Sequence, residues 1–216
     1  MRLWLVRHGE TAWNKDEIFR GQIDVELDEY GQEQARLTGA ALSSLDMAAV
    51  YASPLGRAQE TAQAIAGPHG LAVISETGLK ELNYGSWQGL SHQQVKERYP
   101  ELYQVWVTAP HQVRFEGGES LDDVRTRVMN ALKQMLGRHQ GQNVVAVSHR
   151  AVNKVLLCDL LGLGNSQFWA IRQDTCAINV IEHDEQHGFV IYRLNDTCHI
   201  RPLAELFAAP GQTADF

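Results

Sequence analysis

The sequence predicts an α/β fold of three layers, a mostly parallel central sheet covered on both faces by helices. Short apolar or β-branched runs recur along the chain, they alternate with stretches of helical periodicity, and a later pair of runs flanks a polar turn. The first run, 2–6, is followed by runs at 50–53, 71–75 and 144–148. Between them, 28–45 sets Tyr30, Leu37, Ala41 and Leu45 at helical spacing, and 57–66 gathers Ala58, Ala62, Ile65 and Ala66 before the stop at Gly67-Pro68. Residues 120–137 align Leu121, Val124, Val128, Leu132 and Met135, and Ser120 with Asp123 makes a capping-box start. After Gly162 the pattern changes. Runs at 177–181 and 189–194 flank "EHDEQHG", which reads as a C-terminal hairpin added at the sheet edge. Residues 82–118 fit the sheet pattern poorly and contain Pro100 and Pro110. They read as an inserted helical cover, with Val95, Tyr99, Leu102 and Trp106 at helical spacing. Residues 1–205 are thus expected to form one domain, and 206–216, with nothing to bury, a disordered tail.

Composition narrows the function. A hydrophobic content of 44% with 21% charged residues is that of an ordinary soluble globular protein. At 216 residues the chain can bury about 70% of its unfolded surface without a disulfide or metal staple. A net charge of −7 argues against a nucleic-acid partner, which needs a basic face, but leaves room for a local arginine cluster. Cys158, Cys176 and Cys198 are widely spaced with no C-x-x-C, as expected of reduced thiols in the cytoplasm. A strand directly after Met1 leaves no place for a signal peptide, and no apolar run approaches a membrane span. No membrane partner is expected.

The polar residues at the strand ends carry the chemistry. Arg7 and His8 follow the first run, Arg57 lies one turn past the second, Glu81 a few residues past the third, and His149 directly after the fourth. Ligands of open α/β sheets bind at the carboxyl ends of the strands, so these groups converge on one edge. Two guanidiniums offer planar forks for phosphate or carboxylate. A helix starting after His8 would add backbone N–H groups. One neutral histidine can attack phosphorus while the other, as a cation, stabilises the transferred oxygens. Glu81 can protonate a leaving alkoxide and then take a proton from water. The set is complete for phosphoryl transfer with no metal and no cofactor. A metal site built from two histidines and a carboxylate is the competing reading, but neighbouring guanidiniums repel a divalent cation. The sequence also lacks H-E-x-x-H and a Walker A loop. His69, His111, His139, His183, His187 and His199 read as surface or structural residues.

The motifs "RHGETAWN" at 7–14, "SPLGRAQETA" at 53–62, "LKELNYGSWQG" at 79–89, "GGES" at 117–120 and "VSH" at 147–149 run through most of the chain. Together they resemble the histidine phosphatase superfamily, the phosphoglycerate-mutase-like proteins. The resemblance implies His8 as the phosphorylated nucleophile, with Arg7, Arg57 and His149 on the phosphoryl oxygens. It also implies Glu81 as proton donor and Asn14 as a further phosphate contact. Gly21 and Tyr84 are expected to touch substrate, and Arg20, before Gly21 where relatives are small or polar, to reach a second anionic group. Arg150 stands after His149 where relatives often have Gly, Gln or Asn, and "LDEYG" at 27–31 alters only a helix start. The short stretch from Glu81 to Ser120 resembles compact phosphatases more than the longer 2,3-bisphosphoglycerate-dependent phosphoglycerate mutases, which are the alternative. A non-catalytic phospholigand-binding protein is a third reading, disfavoured because His8 and Glu81 are both present. The expected partner is a small phosphorylated metabolite such as α-ribazole 5′-phosphate, phosphoserine, a sugar phosphate or a phosphoglycerate. Of the cover's aromatics, Tyr84, Trp87, Tyr99, Tyr103, Trp106 and Phe115, most are expected to form its core and one or two, with His92, to line the pocket wall. The expected assembly is a monomer or homodimer.

Overall fold

The computed structural model describes residues 1–15, 18–201 and 203, so the tail expected at 206–216 lies outside the described residues. The first half runs β1 (Arg2–Arg7), α1 (Ala12–Lys15), α2 (Glu29–Leu42), β2 (Met47–Ala52), α3 (Gly56–Ala66) and β3 (Val73–Ser75). Then come α4 (His92–Arg98), α5 (Pro100–Thr108), α6 (Leu121–Arg138), β4 (Asn143–Ser148), α7 (Arg150–Leu160), β5 (Ile178–Asp184) and β6 (Gly188–Asp196). The strands form one sheet in the order β3-β2-β4-β1-β5-β6. The first four in that order are parallel, while β5 runs antiparallel to β1 and β6 antiparallel to β5. The edge hairpin is where the sequence places it.

Strand alternation divides the core between two faces. Leu3, Leu5, Tyr51 and Ala146 pack with Val124 and Val128 of α6 and Val152 and Val155 of α7. Val6, Val50, Val145 and Val147 pack instead with Leu42 of α2 and Ala58 and Ile65 of α3. The three layers follow. The cover has no core of its own: Trp87, Val95, Trp106 and Phe115 belong to the same cluster as Leu3 and Leu5. The helical spacing of Val95, Tyr99, Leu102 and Trp106 is divided between α4 and α5 at Tyr99, whose φ of −133 and ψ of 53 are non-helical, because Pro100 restricts the residue before it and itself suits the first turn of a new helix.

Helix α2 differs from expectation in which face it buries. Tyr30, Leu37, Ala41 and Leu45 are not buried, whereas Gly31, Gln34, Ala35, Thr38, Gly39 and Leu42 are. The buried face is small and polar because two backbones come close. A Cβ on Gly39 would lie 2.2 Å from the Ala64 carbonyl oxygen, and one on Gly31 would lie 2.0 Å from that of Glu10. Asp28 caps the helix by accepting a hydrogen bond from Gly31 N at 2.8 Å, and Asp28 N donates to Glu10 O at 3.1 Å. The "LDEYG" segment therefore clamps the loop that follows His8. The helix expected directly after His8 is displaced, since Gly9 to Thr11 are non-helical and α1 has only 4 residues.

Gly31→Ala must push one backbone off another, and no flexible side chain can yield in its place. The expected loss is about 1–3 kcal/mol, read from the urea midpoint at unchanged m-value. A wild-type midpoint would show that the α2 contact does not hold the loop.

Candidate active site

Parallel pairing sets Arg7 of β1 opposite Ser148 of β4, so the next residues, His8 and His149, emerge side by side with ring centroids 5.0 Å apart. His8 Nδ1 lies 2.6 Å from the Gly9 carbonyl oxygen. A carbonyl only accepts, so the proton of the neutral ring sits on Nδ1 and the lone pair on Nε2. Among the described residues, neither ring nitrogen of the buried His149 has a hydrogen-bond partner.

Two buried arginines are held by backbone carbonyls. Arg57 donates from its terminal nitrogens to Ile23 O at 2.9 Å and Gly21 O at 2.8 Å. Arg7 donates to Gln173 O at 2.7 Å. The Nε of each is buried with no acceptor among the described residues. Orphaned buried donors each cost about 1–3 kcal/mol and are tolerated where a ligand's oxygens will meet them.

Glu81 accepts from Leu82 N at 2.8 Å and, at a long 3.5 Å, from Ala151 N in the first turn of α7. Its own carbonyl accepts from Gln22 Nε2 at 2.9 Å and from Arg127 at 3.1 Å. Arg127 is paired at 2.7 Å with Glu119, which in turn accepts from Asn83 N at 2.9 Å. The glutamate of "GGES" thus braces the loop that carries Glu81. The motif does not announce this role, because its partner Arg127 stands two turns into α6, at a spacing that no sequence signal marks.

His8, Arg20, Gly21, Arg57, Glu81 and Tyr84 line one pocket, while Arg7 and His149 are buried and are not among its lining residues. Arg20 faces inward, donating to Asn14 Oδ1 at 2.6 Å and to Thr11 Oγ1. Asn14 is not part of the wall. Its Oδ1 holds Thr11 N, at 2.9 Å, together with Arg20. His92 and Trp106 supply wall from the cover, as expected. Phe168 and Trp169 close the pocket from a 3-10 segment, Asn165–Ala170, that periodicity could not reveal. They rest on Lys154 of α7, whose Nζ is 4.9 Å and 4.7 Å from their ring centroids.

The electrostatics is that of crowded positive charge. Burial first, then Arg57 and neighbouring cations, hold His8 and His149 well below the usual imidazole range. Both rings are neutral near pH 7, which suits a nucleophile at His8. The expected cationic second histidine is therefore corrected for the free protein, because guanidiniums already occupy its surroundings. Burial pushes Arg7 down to about 9, helped by Arg150, and Arg20 to about 10, helped by Arg57. Burial also raises the Tyr84 phenol and lowers the Lys154 ammonium to about 7. Among the described residues, no group of three His, Cys, Asp or Glu could hold a metal ion, and no helix is long and apolar enough to cross a membrane.

A neutral imidazole with its lone pair fixed, a second imidazole beside it, two carbonyl-anchored guanidiniums and a nearby carboxylate define a class of phosphoryl-transfer site. A model of the histidine phosphatase superfamily (branch 1) matches residues 3–197, and the chain belongs to that family. It is a phosphatase of the phosphohistidine type. It is similar to phosphoserine phosphatase 1 of Hydrogenobacter thermophilus, at 41% identity over 93% of this chain and 94% of that protein. Among solved structures it is similar to YhfR of Bacillus stearothermophilus, with TM-score 0.88 and 30% identity over 92% of this chain and 98% of the other. It is also similar to the alpha-ribazole phosphatase of Shigella flexneri, with TM-score 0.83 and 29% identity over 91% of this chain and 96% of the other.

A histidine with a depressed folded pKa takes up its proton in the unfolded state first, so the stability present above the unfolded value of 6.5 is lost as pH falls through it. At one pH unit below that value the loss is roughly 1 kcal/mol per histidine. The His8→Asn/His149→Asn double variant is expected to show a shallower fall of Tm between about pH 7.5 and 5.5 than the parent. Parallel Tm profiles would show that these rings titrate as exposed groups do.

Proposed function

We propose that this chain hydrolyses a small phosphomonoester, with residues 1–205 acting as one cytoplasmic domain, monomeric or homodimeric. His8 Nε2 attacks phosphorus and the P–O bond to the leaving group breaks. Arg7, Arg57 and His149 take the phosphoryl oxygens, and the Glu81 carboxyl gives its proton to the leaving alkoxide. The resulting Glu81 carboxylate then removes a proton from water, whose oxygen attacks the phosphohistidine. Phosphate departs and His8 is restored. Asn14 serves by holding Thr11 and Arg20, and Gly21 by offering its carbonyl to Arg57.

The observation that carries this reading is the 2.6 Å contact of His8 Nδ1 with the Gly9 carbonyl. It leaves the nucleophilic lone pair on Nε2, on a strand end shared with His149 and beside unsatisfied guanidinium donors. The relatives named as phosphatases of phosphoserine and α-ribazole phosphate support a small metabolite as substrate.

Phosphate release across a panel of phosphomonoesters in EDTA, with 3-phosphoglycerate isomerisation followed in parallel, tests the reaction. Release undiminished by EDTA is expected. Isomerisation dependent on 2,3-bisphosphoglycerate with little free phosphate would make the chain a mutase instead. His8→Ala is expected to abolish turnover in a folded protein. Glu81→Gln should slow alkyl phosphates by about 10²–10⁴-fold, and p-nitrophenyl phosphate far less, because only a poor leaving group needs the proton. Equal losses on the two would remove Glu81 from the acid role.

A further inference from the structure

The pocket holds more positive charge than one phosphoryl group and one carboxylate can balance. Among the described residues, Arg7, Arg20 and Arg57 have no carboxylate in hydrogen-bonding contact, and Arg150, in the pocket wall at the start of α7, has no ion pair. Outside the pocket, Arg2, Arg36, Arg114, Arg125, Arg127, Arg172 and Arg193 each face a carboxylate, and Arg98 and Arg138, which face none among the described residues, are exposed to solvent on helix surfaces. Lys154 is not part of the excess available to a ligand, since it is buried against Phe168 and Trp169.

We propose that Arg20 and Arg150 form a second anion subsite, so that the preferred substrate is a phosphomonoester carrying a further acidic group. The inference rests on the phosphatase reading of the same pocket. Arg7 and Arg57 are buried and tethered to carbonyls of the strand-end loops, where they serve the phosphoryl group. Arg20 is anchored differently. Its tether is made of neutral oxygens, those of Thr11 and Asn14, which orient the guanidinium without cancelling its charge. Arg150 is exposed at the pocket and bears electrostatically on Arg7, Arg20 and Lys154. With both imidazoles neutral, four guanidiniums face Glu81 and a phosphate dianion. Positive charge remains even with Glu81 ionised, and a low-dielectric pocket magnifies the benefit of neutralising it. A planar guanidinium pairs bidentately with a carboxylate or a phosphoryl group, so both chemistries satisfy the subsite. The apolar wall of Phe168, Trp169 and Trp106 then confines the short carbon chain between the two acids.

Matched pairs test this. Phosphoserine against phosphoethanolamine, and 3-phosphoglycerate against glycerol 3-phosphate, differ by one carboxylate; 1,3-propanediol bisphosphate against its monophosphate differs by one phosphoryl group. The acid-bearing member is expected to have kcat/KM at least about tenfold higher, and the larger of the carboxylate and bisphosphate ratios identifies which acid the subsite takes. In Arg20→Gln and in Arg150→Ala, the latter a change at an exposed position, that ratio should fall toward one. Arg193→Gln, which removes a distant positive charge, should keep the wild-type ratio. Wild-type ratios near one, or ratios unaltered in both pocket variants, would overturn the subsite while leaving the phosphatase reading intact. No phosphate release from any ester would instead overturn that reading.

Discussion

The parallel pairing of β1 with β4 is the constraint on which the site depends. With Arg7 opposite Ser148, the chain has no choice but to place His8 against His149. A slip of one residue would turn each side chain to the opposite face and send one imidazole into the core. The register is held by alternating apolar contacts on both faces, with Leu3 and Leu5 on one and Val6 on the other. It is continued past the strand end by His8 N donating to Ser148 O at 3.0 Å. Folding energy of an ordinary kind, strand hydrogen bonds and buried aliphatic surface, thus fixes a distance that chemistry requires.

What the sheet brings together would otherwise fly apart. Several cations at one strand edge repel, and burial first, with that repulsion added to it, depresses the pKa of Arg7, Arg20, His8 and His149. The protein contains the repulsion with dipoles in preference to charges. Carbonyls of Gly21, Ile23 and Gln173 hold the guanidiniums, and neutral oxygens of Thr11 and Asn14 hold Arg20. A carboxylate in any of those places would bind the arginine more tightly and take away its attraction for phosphate. Preorganised positive charge without an internal counter-ion is how such a site stabilises oxygens that gain negative charge in the transition state.

How far the sequence could be read follows from the range of each interaction. Strands, α3, α6 and the edge hairpin were legible because apolar spacing reports burial directly. His8, Arg57, Glu81 and His149 were legible because each stands a fixed, short distance past a strand. The buried face of α2 was not, since Gly31 and Gly39 are buried through backbone proximity, and hydrophobic spacing points to the wrong side. Arg127 and the wall at Phe168 and Trp169 were missed for a related reason. Their roles depend on the Glu81 carbonyl and on Trp106, partners distant in the chain, and Glu119, though near Arg127, stands before its helix at a spacing that no pattern singles out.

The cover shows how the remaining part of the pocket is tied to the fold. Trp106 packs edge-on to Tyr84 and Phe115 and also meets Phe168 and Trp169 at 5.4 Å. Trp169 donates its Nε1 proton to the Trp106 carbonyl at 3.1 Å. One side chain therefore joins the loop after Glu81, the cover and the segment after α7, and all three reach the pocket. Because Trp106 also lies in the cluster with Leu3 and Leu5, the wall is continuous with the core beneath the sheet. Shape selection at the far end of the substrate and stability of the fold are then properties of the same packed rings, while charge selection is left to arginines that no packing neutralises.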